Sequence, residues 1–287
     1  MPKYISVLVG LCLGLVPWCH AEGPVWRITQ GNHTLYLAGT IHLLAESDLP
    51  LPKVLEQAYQ VSDAVVFETD IGHLQQPQVQ WQLMQRLIYP PEESLRQHIP
   101  APLYARLTAY ALENNLSADT FLRLKPAGVM LTLLNTEFQR LGIHAAGPDM
   151  VYHYRAQTDG KPTQGLESVK AHLDYIATLG LGNETRFIQQ SLDDLAQTKP
   201  VMREIVTAWK RGDRVALSSR VIGDMQQAYP EVYQRLLVAR NIIWLPAIEA
   251  LLETPSVEMV LVGAAHLVGA DGLLQALESR GYAVEQL

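Results

Sequence analysis

Leu35-Tyr36-Leu37-Ala38-Gly39-Thr40-Ile41-His42 is an apolar run that ends in Gly-x-x-His. The same form returns near the other end of the chain, as Val260-Leu261-Val262-Gly263-Ala264-Ala265-His266. A third run, Ala64-Val65-Val66-Phe67, ends in Glu68. Short apolar runs of this length, rich in branched residues, read as buried strands. In an open α/β sheet, ligands bind just beyond the carboxyl ends of the strands. These three stretches therefore predict an α/β fold in which a sheet built from both chain ends presents two imidazoles and a carboxylate at one edge.

Around them, Val25 to Thr29 and Thr34 to Ala38 flank Gln30-Gly31-Asn32 and predict a β-hairpin. A helix is expected from Pro52 to about Val61, ahead of the Ala64–Phe67 strand. From about 78 to 253 the pattern is mainly helical. Pro102 and Pro126 stand at helix starts, and Gly142 follows a helix end, where glycine is favoured. Thr163 to Leu166 is a weak strand ending in Glu167. The chain closes with a strand at Val257–Val262, a helix over about Gly269 to Arg280 and a strand at Tyr282–Glu285. The expected organisation is one α/β domain over 22–287, with a mixed central sheet and a large helical insertion at about 78–253.

Composition narrows the function. Of 287 residues, 48% are hydrophobic and 18% charged, which fits a packed globular protein and argues against general disorder. Net charge is −7, and the longest basic block is Lys210-Arg211. No surface is implied that could neutralise a nucleic-acid backbone. Lys3, the apolar run Ile5 to Val16, and Cys19-His20-Ala21 before Glu22 predict a secretory leader over 1–21, so export to the periplasm or medium is expected. As a membrane anchor the run is short for a hydrocarbon layer of about 30 Å. No stable span is expected after cleavage. Both cysteines, Cys12 and Cys19, fall in the leader, so the remaining chain has no thiolate and no disulfide. Any metal there must be held by His, Asp or Glu.

His42, His266 and Glu68 suit a divalent ion with open positions. They equally suit a metal-free acid–base centre. Glu167 repeats the strand-then-carboxylate form, although a carboxylate in a helix's first turn reads the same way. Asp70 is close enough in sequence to share the role of Glu68. Arg240 offers a planar fork for a carboxylate or an oxyanion. Asp149 reads as a helix N-cap. His33, His73, His98, His144, His153 and His172 show no ligand spacing. The chain has no Gly-x-Ser-x-Gly, HExxH, Walker or GxGxxG motif.

With Trp26-Arg27-Ile28, the two Gly-x-x-His segments, Val65 to Asp70, Gly165-Leu166-Glu167-Ser168, Ala239-Arg240-Asn241 with Trp244, and His266-Leu267-Val268-Gly269-Ala270-Asp271-Gly272-Leu273-Leu274, the chain resembles the TraB/PrgY/GumN family. Its motifs also resemble those of Tiki-type metalloproteases and the erythromycin-esterase/ChaN-like superfamily. That resemblance implies a site of His42, His266, Glu68, Arg240 and Asn241, with Glu167 beside it. It implies a divalent ion (Mn, Co or Zn) on His42, His266 and Glu68, oxyanion contacts from Arg240 and Asn241, and hydrolysis of a peptide or other small-molecule substrate. Two rivals stay open: a binding protein that sequesters a peptide or haem-like ligand, and a metal-free esterase-like enzyme with a histidine base.

Overall fold

The computed structural model describes residues 23–287. The expected leader, with Cys12 and Cys19, lies outside the described residues. The hairpin forms as expected. Strands β1 (Val25–Gln30) and β2 (His33–Thr40) pair antiparallel from Val25 opposite Ala38 to Gln30 opposite His33. Gly31 in the turn takes a φ of 58°, which glycine adopts at little cost. After β3 (Leu43–Ala45) and the helix Lys53–Val61 comes β4 (Ala64–Thr69). Its triplet Val65, Val66 and Phe67 is buried, as a two-sided strand requires.

The helical middle also contains strands. β5 (Ile143–Ala146) pairs antiparallel with β3, and β6 (Thr163–Glu167) pairs parallel with β4. The weak strand expected at Thr163 to Leu166 is β6, whereas β5 carries no strand signal of its own in the sequence. Thr163, Gln164 and Gly165 are exposed, so no apolar run marks β6 in the sequence. It is a strand because its backbone completes the edge of β4. At Gly165 the two strands come close: an added Cβ would lie 2.8 Å from the Thr69–Asp70 backbone. β7 (Glu258–Gly263) and β8 (Ala283–Gln286) close the chain.

The six-stranded sheet has the order β6-β4-β7-β2-β1-β8. The contacts β6–β4, β4–β7 and β7–β2 are all parallel. Register places Thr69 opposite Glu167, Phe67 opposite Leu261, and Thr40 opposite Gly263. Four strands therefore end at one edge, carrying Glu167, Glu68, the approach to His266 and the approach to His42. A main core surrounds this sheet, with Trp26, Trp209 and Trp244 almost wholly buried. Trp209 donates its indole N–H to the carbonyl of Gly39 at 2.7 Å, which holds the end of β2. A second apolar cluster, including Leu107, Leu133 and Ile188, lies among the helices of the insertion. No helix among the described residues is long and apolar enough to cross a membrane.

Candidate active site

Arg240 sits on the helix Ala239–Leu251 and is only 3% exposed. A buried cation persists only where it is paired and hydrogen-bonded. Its Nη2 donates to Glu68 Oε2 at 2.6 Å and to Glu167 Oε1 at 2.7 Å, and its Nε donates to Glu167 Oε2 at 3.2 Å. The guanidinium also lies 4.4 Å from the centre of the Trp244 ring. Glu167 takes two further donors, the Trp244 indole at 3.1 Å and His172 Nδ1 at 2.8 Å. Burial pushes the Glu167 carboxyl up, but His172 and Arg240 outweigh it and hold it below its ordinary range.

Glu68 is anchored at its other oxygen by the amide of Gly263, at 2.7 Å. Burial again acts upward, yet the charges of His266, Arg240 and His42 keep this carboxyl well below its usual range. The glycine matters here for space. A Cβ on Gly263 would lie 3.2 Å from Glu68 Oε1, and its φ is an ordinary −51°.

His266 is carried by the one-turn helix Ala264–Leu267 and is buried. A guanidinium has donors only. The 3.2 Å contact from Arg240 Nη1 to Nε2 therefore makes that nitrogen an acceptor. Nδ1 then carries the proton and donates to Asn241 Oδ1 at 2.7 Å. The Asn241 amide nitrogen donates to the carbonyls of His266 and Asp271, at 3.1 and 2.8 Å. Burial lowers the His266 pKa to about 4, so this imidazole is neutral at physiological pH.

His42 lies just past the end of β2 and its side chain is 65% exposed. Nδ1 donates to Asp149 Oδ2 at 2.9 Å. Dehydration of the ring acts downward, but Asp149, with a smaller push from Glu68, outweighs it and raises the pKa to about 9. Asp149 belongs to the first turn of the helix Pro148–Asp159, whose N-cap is Gly147. Gly147 is required for close approach: its amide donates to the carbonyl of His42 at 2.9 Å, and an added Cβ would lie 1.8 Å from the Ile41 carbonyl oxygen.

The sequence candidates are thus sorted. Glu68, Glu167, Arg240, Asn241 and His266 form one buried network, and His42 stands at its exposed end within electrostatic reach of Glu68. Arg240 and Asn241 were expected to contact an oxyanion. Their donors are instead committed to internal acceptors, because buried donors must be satisfied. Asp70 is no part of the network and caps its own short helix through the His73 amide. Two participants escaped the sequence reading: Asp149, taken for an N-cap, and His172, taken as bland. The only local signal for the first was the Gly147-Pro148 pair before it. For the second it was the five-residue spacing from Glu167.

The donor set does not fit a divalent ion as folded. Among the described residues no three His, Cys, Asp or Glu side chains converge to hold a metal. The cation against Glu68 and His266 Nε2 is Arg240 itself, while Glu68 Oε1 stands 4.0 Å from Nε2. A mixed sheet with carboxylates and histidines gathered at its parallel strand ends defines an α/β protein with a titratable cluster at one sheet edge. The chain belongs to the TraB/PrgY/gumN family, whose model matches residues 24–286. That match does not reach the Tiki-type proteases, whose likeness stays an implication of the motifs. No curated protein and no solved structure matches the chain.

Proposed function

We propose that this protein is an exported hydrolase of peptide bonds with His42 as its acid–base group. The observation that carries the reading is the His42–Asp149 pair. A carboxylate accepting from Nδ1 fixes the tautomer, leaves Nε2 available beyond the sheet edge and stabilises the imidazolium. In the neutral form, Nε2 takes a proton from water as the water oxygen attacks the scissile carbonyl. When the C–N bond breaks, the imidazolium returns that proton to the leaving nitrogen. Glu68, kept ionised by Arg240, stabilises the imidazolium between the two transfers. Glu167, Arg240, Asn241 and His266 position Glu68. No step is routed through a metal, since the donors present do not fit one.

The test is turnover of peptide substrates by the mature chain, compared with His42→Ala and Asp149→Asn, with and without a chelator. Loss of activity in His42→Ala and indifference to chelation support the reading. Activity that chelation abolishes and Mn, Co or Zn restores would overturn the metal-free mechanism in favour of the metallopeptidase that the family resemblance implied. Tight stoichiometric ligand binding with no turnover would make the protein a sequestering one. Export is tested by the N-terminus of the protein recovered outside the cytoplasm, expected at Glu22.

A further inference from the structure

The His42–Asp149 pair has a buried neighbour that the proposed reaction does not use. His153 lies on the helix Pro148–Asp159, one turn beyond Asp149, and is 3% exposed. Neither of its ring nitrogens has a hydrogen-bond partner among the described residues. The second carboxylate oxygen of Asp149 is in the same condition. Oδ1 is buried and has no partner among the described residues, while Oδ2 accepts from His42. Buried polar atoms are nearly always paired, so two such groups four residues apart on one helix require an explanation. Packing alone would be served by Leu or Phe, which bury no polar atom.

The imidazole is wedged where this helix meets the end of β4. The Phe67 ring, next in sequence to Glu68, faces it edge-on at 5.9 Å, and the Tyr154 ring lies at 5.5 Å. Its Cε1 and Nε2 turn to the short helix Ile71–Leu74, where a Cβ added to Gly72 would lie 3.4 and 3.7 Å from them. Asp70 Oδ1, 3.5 Å from the same point, already accepts from the His73 amide. Burial outweighs the charge of Asp70 and lowers the His153 pKa, so the ring is neutral and has one N–H to give. With Nε2 against a neighbouring helix, Nδ1 is the nitrogen nearer its own. Residues four apart on a helix have Cβ atoms about 5–6 Å apart, and side chains lean toward the N-terminus. The residue four back from His153 is Asp149.

We propose that His153 is a positioning residue for His42: its Nδ1–H donates to Asp149 Oδ1, so that one carboxylate is held between two imidazoles. The proposal rests on the hydrolase reading, in which Asp149 must keep Oδ2 on His42 Nδ1 while His42 gains and loses a proton. The terminal torsion of an aspartate is broad, so a carboxylate held through one oxygen swings easily. A donor at the other oxygen fixes its plane. A neutral donor does this without placing a second positive charge beside Asp149, which would weaken its hold on the His42 proton. His153 touches no reacting atom and acts only through Asp149.

The experiment compares the mature chain with His153→Phe and His153→Asn. Phe keeps a ring in the wedge without its nitrogens, and Asn puts an amide N–H close to the position of Nδ1. Three quantities are measured: the His42 NMR titration, the His153 tautomer by nitrogen NMR, and kcat and KM on peptides. We expect wild-type His153 in one neutral form, protonated at Nδ1. In His153→Phe the His42 titration should fall from about 9, its proton affinity dropping about tenfold or more, with kcat reduced to a similar degree and KM unchanged. His153→Asn should restore most of both. A His42 titration that stays near 9 in His153→Phe makes His153 merely structural and overturns the proposal. An equal fall in Phe and Asn overturns it too, since the ring's packing would then set the effect. So does a wild-type His153 protonated at Nε2, a result that stands even where neither variant folds. Failure of the wild type to turn over any peptide sinks the hydrolase reading, and the titrations and the tautomer then decide the positioning role alone.

Discussion

The two Gly-x-x-His ends are alike in sequence and opposite in state. His266 is buried, held at Nδ1 by Asn241, faced by a guanidinium at Nε2, and driven down to a pKa of about 4. His42 is exposed, paired with Asp149 and lifted to about 9. The motif brings each imidazole to the sheet edge, and the partners that arrive from elsewhere decide its charge. Environments that push two like groups apart in pKa are how one site holds both protonation states at one pH. The inner end is therefore structural in its energetics, and the outer end is free to do chemistry.

That contrast predicts opposite costs of mutation. Arg240→Ala would leave Glu68 and Glu167 buried without their cation, a loss of about 3–5 kcal/mol. His42→Ala removes an exposed side chain and one screened pair, and should cost far less stability than Arg240→Ala while abolishing turnover. Urea unfolding of both variants beside wild type measures the difference. Equal stability losses would break the division between an inner and an outer end.

The next largest effect is expected at Gly147. Its Cβ in Gly147→Ala would meet a backbone oxygen, which cannot rotate away. Either the Ile41–His42 loop or the start of the Pro148–Asp159 helix must move. Overpacking of this kind costs about 1–3 kcal/mol. We expect the His42 NMR titration to fall from about 9 toward its ordinary 6.5 as the Asp149 contact opens. An unmoved titration would show that the junction yields without breaking the pair.

These contacts also mark how far the sequence could be read. The hairpin, the buried strands and the Pro126–Leu141 helix with Gly142 at its end follow from local pattern, since each is made by neighbours in sequence. The strand ends then predict where Glu68, Glu167 and His266 gather. Asp149 reaches His42 across 107 positions, and no periodicity encodes that meeting. His172 reaches Glu167 over only 5 positions, but a surface pair at that spacing looks the same as a buried one. Arg240 stands out for its planar fork and Asn241 only by resemblance, and the internal roles of both depend on burial that only the folded chain decides. β6 was faint because its strand character comes from β4, not from its own residues.

Asn241→Ala tests the inner end more gently. It removes the acceptor for His266 Nδ1 and the donors for two carbonyls, for a loss of about 1–3 kcal/mol. Nitrogen NMR should show His266 in a single Nδ1-protonated form in wild type and a mixture of forms in the variant. An unchanged tautomer would mean that Arg240 alone sets it.

The smallest change in stability, and the most telling in pH, is expected from Asp149→Asn. The pair is partly exposed, so water screens it. The signs at the two ends are opposite. His42 has a folded pKa above its unfolded 6.5, so its contribution is complete below 6.5 and is lost as pH rises to about 9. His266 has a folded pKa below 6.5, so the unfolded chain takes up the proton first and stability is lost as pH falls from 6.5 to about 4. Asp149→Asn should remove the alkaline slope alone, and His266→Asn the acid slope alone, with the cost of that buried change offset at every pH. In the proposed reaction, activity is expected to follow the outer end. With His42 acting as a base, wild-type rates climb until about pH 9, and in Asp149→Asn that rise should move toward 6.5 with a lower plateau. A rise that stays near 9 in the variant would detach the titration from Asp149, and with it the idea that partners, not the shared motif, give the two histidines their separate roles.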